Sequence, residues 1–433
     1  MIATLLFVLF IGLMLAGVPV GVALAGAGAI AIALANFDVQ WWGLLAVPQN
    51  IYASLAKYPL LAIPMFVLVG SIFDRSGVAQ RLVTFAIAIV GRGPGMLALV
   101  TITVAILLGG ISGSGPATAA AVGGVMIAAM RRAGYPPPFA ASVVAAGAAT
   151  DILIPPSVAF IIYSILVPQA TVPALFAAGM FPGLLAGVAL AIPAVWLARR
   201  HGMGAAEREL PRPPFWRSLG AASWGLAAPV LILGGMRLGW FTPTEAAVVA
   251  VFYGLFVGMV VHRTIGLRDL FTIFREAAEL SAVILIVVSL AGVFAWSLST
   301  LSIIDPITQA IGNSGLSEWA VLSLIVIMLM ILGMFLDGIS LFLIFVPLLL
   351  PIAMLFDWDL VWFGVILTLM VAVGQFTPPL AVNLMVACRI ARVPMERTVP
   401  WVLWLVAAMM LALVLVVIWP QIALWLPQRL GYS

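Results

Sequence analysis

Residues that break helices interrupt long apolar runs at two places between residues 109 and 157. Residues 109–116 are Gly-Gly-Ile-Ser-Gly-Ser-Gly-Pro, and residues 151–157 are Asp-Ile-Leu-Ile-Pro-Pro-Ser. Gly and Pro interrupt the backbone hydrogen-bond ladder, and hydrocarbon supplies no water for the freed N–H and C=O groups. Such backbone is tolerated at membrane depth only when it is buried in protein or lines a wet cavity. We interpret the stretch as a candidate binding site; close helix packing by small residues is the competing interpretation.

The same pair of interruptions returns later in the chain. A shift of 223 residues (333 − 110) superimposes the two copies without a gap. The matched pairs are Gly110 with Gly333, Gly115 with Gly338, Pro155 with Pro378 and Pro156 with Pro379. Ser114 falls on Asp337. Because duplicated, interrupted hydrophobic segments indicate the binding site of a secondary transporter, the second copy favours a functional site over packing alone.

Composition sets the fold class. The chain is 65% hydrophobic and 8% charged, whereas soluble domains are about 25% charged. Apolar runs of about 20 residues recur, so we predict an all-α polytopic membrane protein. The single cysteine, Cys388, excludes a disulfide framework or a cysteine-ligated metal cluster. His201 and His262 fall in basic loops, which argues against a histidine metal or proton site, and the loop arginines indicate topology rather than nucleic-acid binding.

Two segments are predicted to be re-entrant helical hairpins. The arms of the first, 96–108 and 117–130, are too short to cross about 30 Å of hydrocarbon. The second hairpin covers 319–355. The other predicted spans are 2–35, 43–73, 137–168, 174–198, 219–236, 241–261, 277–300, 360–388 and 399–426. Breaks are predicted at the two Pro-Pro pairs, and a kink or helix entry near Pro59 and Pro64. A loop is expected at 37–42, and the apolar spacing within 74–92 predicts a helix lying in the membrane interface.

The charges that flank the two hairpins have opposite sign. They are Arg92, Arg131 and Arg132 around the first hairpin, and Glu318, Asp357 and Asp359 around the second. By the positive-inside rule, the first hairpin enters from the cytoplasm and the second from the opposite face. Five predicted crossings lie between them, and an odd number also requires the two units to be inverted. This scheme places the N-terminus inside and the C-terminus outside, although Lys57 and Arg429 fit it poorly.

Inverted hairpins and broken helices bring open helix ends together near the membrane midplane. Helix N-termini suit a carboxylate, whereas unwound carbonyls and helix C-termini suit Na⁺. Neutral side-chain oxygens expected at this depth belong to Ser112, Ser114, Thr118, Thr377 and Asn383, and the carboxylates to Asp151 and Asp337. An intramembrane carboxylate is a functional-site hypothesis by default. Asp337 has a second interpretation as the N-cap of the helix that follows it, and the two roles can coexist.

The motifs at these breaks resemble those of the large membrane subunit of tripartite ATP-independent periplasmic (TRAP) transporters. The matching segments are residues 109–114 (Gly-Gly-Ile-Ser-Gly-Ser), 154–157 (Ile-Pro-Pro-Ser), 333–338 (Gly-Met-Phe-Leu-Asp-Gly), 377–379 (Thr-Pro-Pro) and 383–384 (Asn-Leu). Ala178-Gly179 followed by Pro182-Gly183 is similar too. The resemblance covers essentially the whole chain.

The resemblance implies Na⁺-driven uptake of an organic acid across a bacterial inner membrane by an inverted-repeat, elevator-type carrier. C4-dicarboxylates, sialic acid and keto acids are all compatible with it. It also implies two partners: a periplasmic solute-binding protein that delivers the substrate, and a small membrane subunit, which the length of this chain predicts to be separate. No enzymatic activity and no cofactor other than Na⁺ as the coupling ion are expected.

The same resemblance divides the chain into fixed and moving parts. The predicted regions are scaffold spans with an interfacial helix at 1–92, a first transport unit at 93–170, scaffold spans at 171–304 with a cytoplasmic loop at 199–217, an interfacial arm at 305–318, a second transport unit at 319–389 and a C-terminal span at 390–433.

Carried onto this sequence, the resemblance assigns residues to ion and substrate. The predicted Na⁺ residues are Gly110, Ser112, Gly113, Ser114, Asp151, Asp337, Gly338, Gly374 and Thr377. The predicted substrate residues are Ser114, Thr118, Pro156, Ser157, Ser340, Thr377, Pro379 and Asn383. Two positions depart from the family pattern, because Asp151 and Ala381 stand where glycine is usual. The extra carboxylate suggests altered ion stoichiometry or a proton-dependent step.

Three rival functions follow from the same residues. A stand-alone Na⁺- or H⁺-coupled elevator carboxylate carrier shares hairpins and inverted repeats but needs no binding protein. An intramembrane enzyme is disfavoured because no histidine lies in a span and no Ser/Lys or His/Asp constellation is present. A channel suits a midplane site between hairpins less well than alternating access does.

Overall fold

A computed structural model describes residues 2–35, 40–91, 93–209 and 213–432. The described residues are helical throughout, with no strand. The first ten helices are α1 Ile2–Leu15, α2 Val20–Ala35, α3 Gln40–Leu55, α4 Ala62–Arg75, α5 Val78–Val90, α6 Met96–Ser112, α7 Gly115–Arg132, α8 Pro137–Ala149, α9 Val158–Leu166 and α10 Val172–Arg200. The rest are α11 Phe215–Arg237, α12 Pro243–Phe256, α13 Leu267–Thr300, α14 Ile304–Asn313, α15 Glu318–Gly333, α16 Gly338–Leu355, α17 Leu360–Gly374, α18 Val382–Ala391, α19 Val399–Ile418 and α20 Gln421–Leu430.

Short helical turns join several of these elements. They are the 3₁₀ turns Tyr58–Leu61, Asp151–Leu153, Ala205–Glu209 and Met395–Thr398, and the π turn Val257–Val261 that extends α12.

Seven helices in the described residues are long and apolar enough to span a membrane, and eight if the bent α8–α9 pair counts as one span. This supports the multi-pass membrane prediction. Five of these candidate spans lie between the two hairpins, as the sequence predicts: α8–α9, α10, α11, α12 and α13. Arg92 and residues 36–39, on which part of the charge argument and the predicted loop rest, lie outside the described residues.

Two predicted spans are wrong as single helices. Residues 2–35 form α1 and α2, which pack against each other, because Gly17 and Pro19 end one helix before the next begins. Residues 43–73 divide at the 3₁₀ turn containing Pro59, where a kink or helix entry is predicted. The final span divides at Pro420, which cannot continue the backbone hydrogen-bond ladder of α19.

The helix pairs α6–α7 and α15–α16 lie in the segments predicted to be re-entrant hairpins, and the arms of the first pair are longer than expected. The prediction that the first tip breaks at Gly109 is wrong, since α6 continues through the Gly109-Gly110 pair to Ser112. Only Gly113, with φ +62°, and the extended Ser114 separate α6 from α7. In the second hairpin, α15 and α16 are separated by residues 334–337.

Both predicted broken helices are present. The α8–α9 pair bends by 44°, and the break contains the Asp151–Leu153 turn and a cis Pro155-Pro156 bond. Residues 375–381 separate α17 from α18 and contain a cis Pro378-Pro379 bond.

The two duplicated units interlock, and further helices pack around them. α18 of the second unit packs against α7 and α8 of the first, and α16 packs against α9. α10 packs against α6, α17, α19 and α20, so it lies with the hairpin units. α13 packs against α2, α3 and α4 on one side of the structure, and also contacts α16.

The predicted interfacial helix forms as α5, and its apolar face packs on α6 and α11. Val78, Leu82 and Phe85 are buried in that contact, while Ile89 is half exposed. The predicted interfacial arm forms as α14, which buries none of its residues and contacts α16.

Candidate functional site

A cavity of about 230 Å³ lies where both hairpin tips meet both helix breaks; we call it the central cavity. Its lining from the duplicated units includes Ser112, Gly113, Ser114, Gly115, Ile152, Val158, Gly333, Asp337, Gly338, Phe342, Gly374, Gln375 and Leu380. Six predicted ion or substrate residues line it, namely Ser112, Gly113, Ser114, Asp337, Gly338 and Gly374. Within the described part of the chain, the lining is largely apolar, with two carboxylates and no basic residue.

Asp151 holds the tip of the first hairpin from behind the cavity. Its Oδ1 accepts a hydrogen bond of 3.0 Å from the Gly113 backbone N–H, and its Oδ2 accepts one of 2.5 Å from the Thr118 hydroxyl. Asp151 is fully buried in the break between α8 and α9. The carboxylate therefore fixes the tip in place and is not itself part of the lining.

Two buried side-chain oxygens near the cavity have no hydrogen-bond partner among the residues that the structure describes. They are Ser112 Oγ, at the end of α6, and Asn383 Oδ1, in the first turn of α18. Buried polar atoms are nearly always satisfied, so an orphaned oxygen suggests an absent partner. The Asn383 amide nitrogen is engaged, since it donates to Gln375 Oε1 at 3.1 Å.

Asp337 caps the helix after the second tip, as one of its two interpretations predicts. Its Oδ2 accepts hydrogen bonds of 3.1 Å from the backbone N–H groups of Ile339 and Ser340, and its Oδ1 accepts one from the Ser340 hydroxyl. The residue is exposed to the cavity, so the cap places a carboxylate in its wall.

The first tip meets the second break at close range. A Cβ at Gly115 would lie 2.4 Å from Gln375 Oε1 and 2.8 Å from Asn383 Nδ2. The second tip meets the same break, because a Cβ at Gly374 would lie 2.5 Å from the Gly333 carbonyl oxygen. Both hairpins thus converge on residues 374–383.

The remaining predicted site residues lie outside the cavity lining. Thr118 bonds Asp151, Ser157 caps α9 and donates to the Ile152 carbonyl, and Thr377 donates to the Val373 carbonyl at 2.6 Å. Ser340 is bound to Asp337, and Asn383 stands behind Gly115. Three residues remain. Gly110 packs on Pro229, the Pro156 carbonyl faces Gly113, and Pro379 is exposed.

The sequence analysis missed the wall that α4 contributes. Val67, Gly70, Ser71 and Asp74 line the cavity opposite the first tip, and a Cβ at Gly70 would lie 3.4 Å from the Ser112 carbonyl. A signal was present, because Asp74 is a carboxylate at the end of an apolar run. Its neighbour Arg75 pairs with a glutamate of α13 at 2.7 Å.

Within the described residues no group of three or more His, Cys, Asp or Glu side chains could hold a metal ion. The lining of the central cavity supplies serine hydroxyl, glutamine amide and aspartate carboxylate oxygens, the ligand type that hard cations take.

Curated relatives match nearly the full length of the chain. It is 34% identical to the C4-dicarboxylate TRAP transporter large permease protein DctM of Rhodobacter capsulatus, covering 100% of both chains. It is also 34% identical to the sialic acid TRAP transporter large permease protein SiaM of Vibrio cholerae, covering 98% of both. The isethionate TRAP transporter permease protein DctMQ of Oleidesulfovibrio alaskensis is 35% identical, over 97% of this chain and 65% of that protein.

Solved structures show the same fold at lower identity. The YdaH transporter of Alcanivorax borkumensis aligns with a TM-score of 0.59 at 15% identity, over 88% of this chain and 89% of that one. MtrF of Neisseria gonorrhoeae aligns with a TM-score of 0.55 at 13% identity, over 87% and 84%. Residues 7–422 match the model of the family described as the DctM component of the tripartite ATP-independent periplasmic transporter. The chain is therefore a multi-pass inner-membrane protein of the DctM family, the large permease component of TRAP transporters.

Proposed function

We propose that this chain is the permease of a Na⁺-coupled importer that takes up an organic acid delivered by a periplasmic solute-binding protein. The relatives are named for C4-dicarboxylates, sialic acid and isethionate, which share an acidic group on a small organic body. Their names supply the substrate class. A small membrane subunit completes the proposed complex.

The proposal of Na⁺ coupling rests on one observation, namely the two buried oxygens that have no hydrogen-bond partner among the described residues. Ser112 Oγ and Asn383 Oδ1 are buried where water does not reach them, and each lies beside a hairpin tip or helix break. A bound Na⁺ would satisfy them, because a hard cation takes oxygen ligands and unwound helix segments supply further carbonyls. The backbone of residues 112–114 and 374–377 would complete the ligand set.

The substrate carboxylate would be held without a basic side chain. The N-terminus of α7 begins at Gly115, which lines the central cavity, whereas the first N–H groups of α16 are already bound by the Asp337 carboxylate. Helix N-termini carry free N–H groups and partial positive charge, so they attract an anion. In this scheme bound Na⁺ supplies the remaining positive charge, which makes anion binding dependent on the ion.

Transport would proceed by movement of the hairpin units against the helices that pack on α13. We assign α6–α10 and α15–α20 to the moving body, since α10 and α19 pack on each other and on the first or second unit. α1–α4 and α11–α13 would form the fixed scaffold. The contact of Gly70 with the Ser112 backbone lies on the boundary between them.

The test is uptake by proteoliposomes that hold this chain with its small subunit. Labelled succinate, sialic acid and isethionate are added outside, with or without an inward Na⁺ gradient and with or without the binding protein. Uptake that requires both would support the proposal. Uptake with the Na⁺ gradient alone would instead make the chain a stand-alone carrier, and uptake without Na⁺ would exclude sodium coupling.

A further inference from the structure

A second and larger cavity, of about 550 Å³, lies at the other end of α4 from the hairpin tips. Its polar lining comprises Lys57, Tyr58, Ser164, Thr171 and Thr244, and the rest is apolar. We call it the Lys57 cavity. Its volume falls within the range of about 300–1,000 Å³ typical of small-molecule sites.

Lys57 is the chain's only lysine. Among the described residues, one of its three ammonium N–H donors has a hydrogen-bond acceptor. Its Nζ donates one hydrogen bond of 3.1 Å to the carbonyl of Ile165, near the end of α9. In the described part of the chain no carboxylate lies within ion-pair distance of it. An ammonium has three donors, so two are left for a ligand.

Lys57 differs from the two arginines that follow predicted outward spans. Arg237 stands over the Tyr432 ring at 5.8 Å, and Arg429 lies 6.0 Å from the Trp425 ring. Among the described residues, Lys57 is the one cation that lines this cavity. A lysine on the outer face also runs against the positive-inside bias, so it has no explanation in topology.

The Lys57 cavity and the central cavity share the same two helices. α4 lines the first at Ala62 and the second from Val67 onward, while α9 lines the first at Ser164 and the second at Val158. At 1.5 Å per residue, Ala62 and Gly70 are about 12 Å apart along α4.

Packed side chains close the path between the two cavities in this conformation. Ile63 and Phe66 of α4 are buried between them. The Phe66 ring packs edge-to-face on the Phe176 ring, with 6.4 Å between the ring centroids. α4 and α9 belong to the proposed scaffold and moving body respectively, so their relative movement would open this seam. The two cavities would then be joined.

We propose that the Lys57 cavity is an outer vestibule that binds the acidic group of the organic anion before it moves along the α4–α9 seam to the central cavity. This inference rests on the proposed function and on the place of Lys57 at the opposite end of α4 from Arg75. Arg75 pairs with Glu276, in the loop between spans 241–261 and 277–300 that the topology scheme places in the cytoplasm. The cation offsets the repulsion that the acidic outer segments, carrying Asp305, Glu318, Asp357 and Asp359, would exert on an anion.

The unique lysine makes a direct binding assay possible. Chain and small subunit in nanodiscs are treated with N-hydroxysuccinimidyl acetate, and acetylation of the Lys57 peptide is followed by mass spectrometry with succinate, isethionate or sialic acid present. We expect at least one acid to slow acetylation about threefold or more, with neutral succinamide inactive. If no acid slows it, or only the binding protein does, the vestibule is excluded.

Two variants of Lys57 test the vestibule through uptake kinetics. Lys57→Gln keeps an N–H donor for the Ile165 carbonyl but loses the charge, whereas Lys57→Arg keeps both. We expect Lys57→Gln to raise the KM for substrate about three- to tenfold at unchanged kcat, with Lys57→Arg and the control Arg429→Gln close to wild type. An unchanged KM in Lys57→Gln would overturn the vestibule proposal and leave the proposed function intact. Absence of uptake by the wild type would overturn the proposed function.

Discussion

The Asp151 carboxylate accepts a 3.0 Å hydrogen bond from the Gly113 N–H, which joins the first broken helix to the first hairpin tip. Gly113 has a left-handed backbone conformation, with φ +62°, that few other residues adopt without strain. The same carboxylate also binds Thr118, one turn into α7. One buried side chain therefore sets the shape of the tip whose Ser112 and Ser114 line the central cavity.

Removing this carboxylate should loosen the tip. We expect Asp151→Gly to lose about 1–3 kcal/mol of stability, since the buried Gly113 N–H and the Thr118 hydroxyl lose their acceptor. A lowered melting temperature in detergent and a raised half-saturating Na⁺ concentration for uptake would be measured together. Asp151→Asn, which retains one acceptor, should be milder. Unchanged Na⁺ dependence in Asp151→Gly would rule out the idea that this carboxylate alters ion stoichiometry.

The approach of the second tip to the second break leaves no room for a methyl group. A Cβ at Gly374 would lie 2.5 Å from a backbone oxygen, which cannot rotate away. We expect Gly374→Ala to destabilise the protein by about 1–3 kcal/mol and to abolish most uptake. Gly124→Ala is the matched control, because nothing lies within 4 Å of that position. Equal activity of the two variants would show that the contact is not required.

Removing either of the two unpartnered oxygens should weaken Na⁺ binding. Ser112→Ala and Asn383→Ala are each expected to raise the half-saturating Na⁺ concentration roughly tenfold, about 1.4 kcal/mol of ion binding. Ser323→Ala controls for loss of a serine hydroxyl in an apolar helix, since Ser323 is exposed and bonds only its own helix. Na⁺ titrations of uptake separate the variants. Wild-type Na⁺ affinity in both site variants would place the ion elsewhere.

Glu207 should make stability depend on pH. Burial raises the pKa of its carboxyl above the usual glutamate value of 4.5, opposed by hydrogen bonds from Tyr135 and from the backbone N–H of Leu97. A raised pKa in the folded state means that the stability contribution is complete below 4.5 and is lost as the pH rises through the folded pKa. Melting temperature should therefore fall with increasing pH.

Glu207→Gln tests that expectation, because it retains an acceptor without the titrating charge. We expect the variant to melt higher than wild type at pH 8 and to show a flatter melting-temperature profile between pH 4 and pH 8. Glu279→Gln is the control, as Glu279 is exposed and forms a surface pair with Arg275. A wild-type slope in Glu207→Gln would assign the pH dependence to another group.

Much of this architecture was predictable because its signals are local and repeated. The Pro-Pro breaks and the glycines at the tips stand out against apolar runs, and the 223-residue shift pairs them. The lengths of the arms were not predictable, since a Gly109-Gly110 pair can stay helical when neighbouring helices pack on it. The α4 wall was missed because the approach of Gly70 to Ser112 depends on tertiary packing alone.

The roles of individual side chains were also set by tertiary structure. Sequence placed Asp151 at a helix break and Asp337 at a hairpin tip and predicted that both bind Na⁺. Asp151 is buried behind the first tip, whereas Asp337 faces the cavity. Likewise, Asn383 was predicted to contact substrate, but its amide packs against Gly115 of the other unit. The identity of a partner 268 residues away (383 − 115) is not encoded in any local pattern.

The contact of Gly115 with Asn383 has a consequence for biogenesis. The first hairpin and its broken helix leave the ribosome early, but the surface that completes their tip is made only when translation has passed residue 383 of 433. A nascent chain that has inserted most of its helices thus has an unfinished cavity with polar groups facing lipid or the insertion machinery. Chaperoning of that intermediate, or delayed release from the translocon, would be required until the last helices arrive.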